Sequence, residues 1–138
     1  MYGETTVLFT VKTFVVAIVE VFGAEYSRAP TDTDIQCLTT KNTARGFPGM
    51  IGSIDCMHWV WKNCPTAWHG QYTGHKHAPT IILEAVASYD TWIWHSFFGM
   101  PGSCNDINVL HRSNVFQELL NGRSTPMNFV INGHTYDM

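Results

Sequence analysis

GSIDCMHWVWK, residues 52–62, is the stretch on which the fold turns. Its first residues continue an apolar run, Met50 to Ile54, that reads as a strand over Met50–Cys56. That strand delivers a carboxylate, Asp55, at its exit, followed by Cys56, His58 and two tryptophans, Trp59 and Trp61. A carboxylate at the end of a buried strand is costly unless it is hydrogen-bonded, paired or bound to a metal. It can cap the next turn, or it can ligate a divalent ion in a cleft where strand ends converge.

Downstream, the apolar runs Thr80–Ser88 and Thr91–Gly99 flank Tyr89-Asp90 and predict an antiparallel hairpin. Asn63 to Ala78, rich in Gly, Pro, His and Trp, reads as a loop. Pro101-Gly102 turns the chain, and Ser103 is expected to cap a helix through Leu110 with Asp106 at its third position, a capping box that explains an acid without catalysis. A second helical turn runs from Ser113 to Leu120 and stops at Asn121-Gly122. Asn128–Ile131 and His134–Asp137, joined by Asn132-Gly133, predict a small hairpin with a type I′ turn.

Upstream, residues 5–27 read as a core helix, preferred over a targeting or membrane segment. Lys12 and Glu20 interrupt the apolar stretch Val7–Phe22, Glu4 precedes it, and its length falls short of the ~20 residues that span a bilayer. Thr31 and Asp34 form a capping pattern for a second helix to about Thr40. Lys41 to Pro48 is a polar connector, which divides the chain into a helical segment, residues 1–45, and a second domain, residues 46–138.

The 138 residues carry 8 Lys+Arg against 11 Asp+Glu, a net charge of −3, so no overall positive field favours nucleic acid or acidic lipid. Four widely spaced cysteines without a CxxC pair read as reduced thiols of an intracellular protein. A zinc site from Cys56, His58, Cys64 and His69 matches no standard ligand spacing, and no tight zinc is expected. His75-Lys76-His77 can meet phosphate or stand solvated. The five tryptophans are assigned to packing, with base stacking as the alternative. Glu84 is a polar residue inside a strand pattern, near the same cleft.

Three consecutive strands, an acid on the first, then a helix, is how an RNase H-like core begins. RGFPGMIGSIDCMHWVWKNCPTAWHGQYTG and PTIILEAVASYDTWIWHSFFGMPGSCNDINVLHRSNVF carry a closer likeness. Over residues 8–138 the chain resembles the plant branch of the PIF/Harbinger-type DDE transposases and the nuclease-like proteins derived from them. The resemblance implies an α/β fold: N-terminal helices, then the first half of an RNase H-like core with an incomplete sheet. It also implies divalent-metal-dependent cleavage and joining of DNA, with Mg²⁺ or Mn²⁺ as cofactor, in the nucleus or also the cytoplasm. DNA and a DNA-binding partner protein are the implied partners, and no membrane is.

Gly-Ser-Ile-Asp-Cys-Met-His matches the family's first catalytic acid at Asp55. Pro-Gly-Ser-x-x-Asp matches an acid motif at Asp106, either catalytic and metal-binding or an accessory cap. The family's later Asp-Gly-x-Tyr-Pro-like strand and downstream glutamate are expected after Asn132–Tyr136, whereas the sequence stops at Met138. The resemblance thus implies a truncated, impaired nuclease. The alternative is a non-catalytic domesticated fragment acting as a protein-interaction module.

Overall fold

The computed structural model describes residues 3–121 and 126–137. The element order is α1 (Glu4–Tyr26), α2 (Asp32–Ala44), β1 (Ser53–Val60), a 3₁₀ turn (Thr66–Trp68), α3 (His69–Tyr72), β2 (Thr80–Ala87), β3 (Ile93–Pro101), α4 (Asp106–Arg112), α5 (Gln117–Leu120), β4 (Asn128–Ile131) and β5 (His134–Asp137). The chain is an α/β protein with two antiparallel sheets, β1-β2-β3 and β4-β5.

The β2–β3 hairpin is antiparallel as the sequence predicts, from Ile81 opposite Pro101 to Ala87 opposite Ile93. However, β3 is Ile93–Pro101 rather than Thr91–Gly99, and residues 88–92 rather than Tyr89-Asp90 alone make the connection. The hairpin register skips Gly99, whose φ of 116° makes it the extra residue of a bulge. The β4–β5 hairpin turns at Asn132 and Gly133, both with positive φ (49° and 81°), as a type I′ turn requires. The stop expected at Gly122 lies outside the described residues.

Three further expectations need correction. The first strand is not Met50–Cys56 but Ser53–Val60. All eight of its residues pair with β2, and that pairing outweighs the break suggested by the polar residues after Cys56. Asp55 is therefore the third residue of the strand, not its exit. The second helix runs past Thr40 to Ala44, which shortens the polar connector. Here Asn42 is buried and its Nδ2 donates to the Met50 carbonyl at 2.8 Å, so a polar residue holds the helix end.

The third correction concerns α1. It is a helix, but none of its residues is buried: Phe9 is 70% exposed, Val21 69% and Leu8 64%. Among the described residues nothing covers its apolar surface. It has 23 residues, and an 18-residue window within it reaches a mean hydropathy of 2.0, long and apolar enough to cross a membrane by length and composition. Buried core helices and signal sequences meet the same measure. Its C-terminal end is anchored: Tyr26 stacks on Trp92 with ring centroids 4.9 Å apart, and Arg28 just beyond lies over Trp92 and Trp94.

The capping box at the start of α2 forms as expected. Thr31 accepts from the Asp34 amide, and the Asp34 carboxylate accepts from the Thr31 amide at 2.8 Å. Arg28 adds an ion pair to Asp34 at 2.6 Å. Lys41 donates to the Tyr89 hydroxyl, tying α2 to the tip of the β2–β3 hairpin.

Side chains alternate across the three-stranded sheet. The rows Ile54–Val86–His95, Cys56–Glu84–Phe97 and His58–Ile82–Met100 share one face; Asp55–Ala85–Ser96 and Met57–Leu83–Phe98 share the other. On the first face Ile82 and Met100 meet Val109 of α4, with Cys56, Phe97 and Cys104 packed around them. This is the core. The second face is open, with Met57, Trp59 and Phe98 half or more exposed.

Candidate functional site

Asp55 projects from the open side of β1, and its Oδ1 accepts a hydrogen bond from the Cys56 amide at 2.9 Å. Asp106 is the first residue of α4, on the covered side. The capping box proposed for it does not form. The N-cap is Asn105, whose side chain accepts from the Asn108 amide at 2.8 Å. Ser103 instead donates its hydroxyl to the Gln71 carbonyl at 2.6 Å, joining the helix approach to the preceding loop. The sequence reading put the cap at Ser103; the bond to Gln71 engages that hydroxyl, and the cap falls two residues later, on Asn105.

Cys56 lies between the two acids. Its thiol is pushed up to about 11, first by burial and then by the negative charges of Asp106, Glu84 and Asp55, with a hydrogen bond to Asp106 adding to the effect. It is a neutral donor at physiological pH, and only the thiolate would be a nucleophile.

Glu84 is the residue whose environment the sequence concealed. It is fully buried in the central strand, and neither carboxylate oxygen has a hydrogen-bond partner. His95 Nε2 lies 3.4 Å from its Oε1 and 3.0 Å from the Ser113 hydroxyl. Its place between Leu83 and Ala85 in an apolar run was the available signal, since period-2 alternation puts it on the same face as Ile82.

The remaining polar candidates gather at the far end of β1. His58 Nδ1 lies 3.2 Å from the Thr80 hydroxyl, and its ring meets that of His75 edge-on at 4.7 Å. Burial lowers the His58 pKa, His75 and Lys76 lower it further, and Asp106 opposes them. His69 Nε2 stands 3.0 Å from the Cys64 carbonyl. Of the tryptophans, Trp61 and Trp68 pack with Tyr72, Trp92 stacks on Trp94, and Trp59 is 54% exposed.

A divalent ion needs several oxygen ligands converging on one point. Among the described residues no group of three or more His, Cys, Asp and Glu side chains is arranged to hold a metal. Asp55 and Asp106 approach Cys56 from opposite faces of β1, so by themselves they do not fit a divalent ion. No catalytic step is assigned through one.

Comparison with curated proteins and with solved structures gives no match. A family model described as "Plant transposon protein" matches residues 24–138, from the end of α1 through β5 and including both acids and the His-rich loop. On that match, which covers well over half its length, the chain belongs to the plant transposon protein family.

Proposed function

We propose that the chain is a DNA-processing protein of the DDE transposase type, of PIF/Harbinger descent and RNase H-like ancestry, with Asp55 and Asp106 as its acids. The observation that carries this reading is the family match over residues 24–138, which takes in both acids, Asp55 in β1 and Asp106 at the start of α4. The order of three antiparallel strands followed by a helix supports it. Mg²⁺ or Mn²⁺ is the cofactor that such acids take, and phosphodiester cleavage and strand transfer in the nucleus is the activity. Held by a complete set of acids, such ions would stabilise the attacking and leaving oxygens of the phosphodiester.

The described residues supply only part of such a site. The 138-residue chain is therefore expected to nick plasmid DNA poorly in Mg²⁺ or Mn²⁺. A shortfall of ~4 kcal/mol in metal stabilisation alone slows turnover about a thousandfold. Robust nicking that disappears in Asp55→Ala would show instead that these residues complete the site.

A second reading, a non-catalytic module that binds a partner protein, is favoured by the open sheet face and the free edge of β1. Duplex binding measured by fluorescence anisotropy separates the two. Binding supports the DNA reading; its absence, with a stable assembly seen by light scattering, supports the module.

A further inference from the structure

The corner at the end of β1 has features that packing does not require. His58, His75 and Lys76 bring three nitrogen-bearing side chains together, the two rings in edge contact at 4.7 Å. Lys76, next to His75 in the chain, adds an ammonium group to the same corner, and its charge is felt at His58. His75 and Lys76 are exposed, so burying apolar surface does not account for their position.

The loop that carries them is held firmly. Gly102 donates its amide to the Thr80 carbonyl at 2.9 Å, and Ser103 donates to Gln71 at 2.6 Å. A side chain at Gly74 would collide with the Gly102 carbonyl, and one at Gly102 would collide with the Thr80 hydroxyl. Glycine is needed at both places for the loop to lie against the turn that leads into α4. His77 closes the loop tip by donating its amide to the Gly74 carbonyl at 3.0 Å, with a φ of 55° that residues bearing a Cβ adopt only under constraint. A preorganised loop that gathers imidazole and ammonium donors at one corner suits an anion, which is held best by donors already in place.

We propose that His58, His75 and Lys76 form an anion site that grips a phosphodiester of a DNA strand passing beside Asp106. The inference rests on the DNA-processing reading and deepens it by naming a surface that holds the strand. Phosphate contacts position a protein on DNA without reading its sequence. In a chain of net charge −3 they must come from a local cluster such as this one.

The test is anisotropy of a fluorescein-labelled duplex across a salt series in EDTA, so that cleavage plays no part. Combining His75→Gln with Lys76→Gln is expected to weaken binding at least about fivefold and to reduce the slope of log affinity against log salt by roughly 1. Lys76→Glu, a charge reversal at one exposed position, should weaken it further. Lys12→Gln in α1 should leave it unchanged, and circular dichroism checks that each variant folds.

Wild-type binding with unchanged variants overturns the inference and leaves the DNA reading standing. No duplex binding by wild type overturns both. Polyglutamate bound as tightly as the duplex, with the same dependence on Lys76, would reassign the site to an acidic protein and overturn the nucleic-acid assignment.

Discussion

The two faces of the three-stranded sheet are built from alternate residues of the same strands, yet they have different fates. The face carrying Cys56, Ile82 and Met100 is covered by Val109 of α4, and Ile82 and Val109 lose all contact with solvent. Among the described residues the face carrying Met57, Leu83 and Phe98 has no comparable cover, and Met57 keeps half of its surface. A one-residue step along β1 thus moves a side chain from core to solvent. Asp55 and Cys56 are one such step apart. The covered face supplies the stability, while the open one presents the first acid.

The largest effects that test this contrast are in stability. Ile82→Ala is expected to cost about 2–5 kcal/mol, because it leaves a cavity under α4 that the rigid sheet cannot collapse. Met57→Ala, one strand away on the open face, is expected to cost under about 1 kcal/mol. Urea unfolding of the two variants measures both. Equal losses would mean that the open face is covered in solution, for example by self-association, and the contrast would fail.

A smaller effect of opposite sign is expected at Glu84. Its oxygens are buried without hydrogen bonds, and His95 at 3.4 Å is their nearest compensation. Replacing such a group by an apolar one of similar volume often stabilises. Glu84→Leu should raise unfolding free energy by about 1–2 kcal/mol in the same urea assay. A loss would show that the Glu84–His95 contact is a working ion pair that holds the end of α4 through Ser113.

The sequence made local features legible and left long-range ones hidden. The Thr31/Asp34 capping box and the Asn132-Gly133 turn depend on residues at most three apart, and both form as expected. The capping box also has a pH signature. Asp34 is held well below the usual carboxylate range, first by its hydrogen bond to Arg28 and then by those from Thr31. A depressed carboxylate pKa contributes stability above its unfolded value, near 4, and that contribution fades as pH falls below it. Acid titration of unfolding should therefore show a component starting near pH 4 that Asp34→Asn lacks.

By contrast, the bounds of β1 depended on its partner β2, the role of Ser103 on Gln71, and the exposure of α1 on what surrounds it. None of these is written in nearby residues. The consequence for the site was direct. Extending β1 through Val60 turned Asp55 from a strand-end residue into one of an alternating series, facing away from Asp106.

The smallest expected effect is also the sharpest probe of that geometry, because it uses Cys56 as a reporter between the faces. Its thiol is pushed up to about 11, so roughly 1% is thiolate at pH 9 and alkylation by iodoacetamide should be slow. Exposed Cys37 serves as the internal reference in the same mass-spectrometric digest. Burial is the first cause of the shift and no carboxylate variant removes it, so the changes should be modest. Asp106 acts on the thiol through both charge and hydrogen bond, whereas Asp55 acts through charge alone and from the other side of the strand. Asp106→Asn should therefore speed Cys56 alkylation more than Asp55→Asn does, with Cys37 unchanged in both. If Asp55→Asn has the equal or larger effect, the two acids share one side of β1. They would then be able to converge on a common ion, and the separation of the faces would be refuted at the site that matters most.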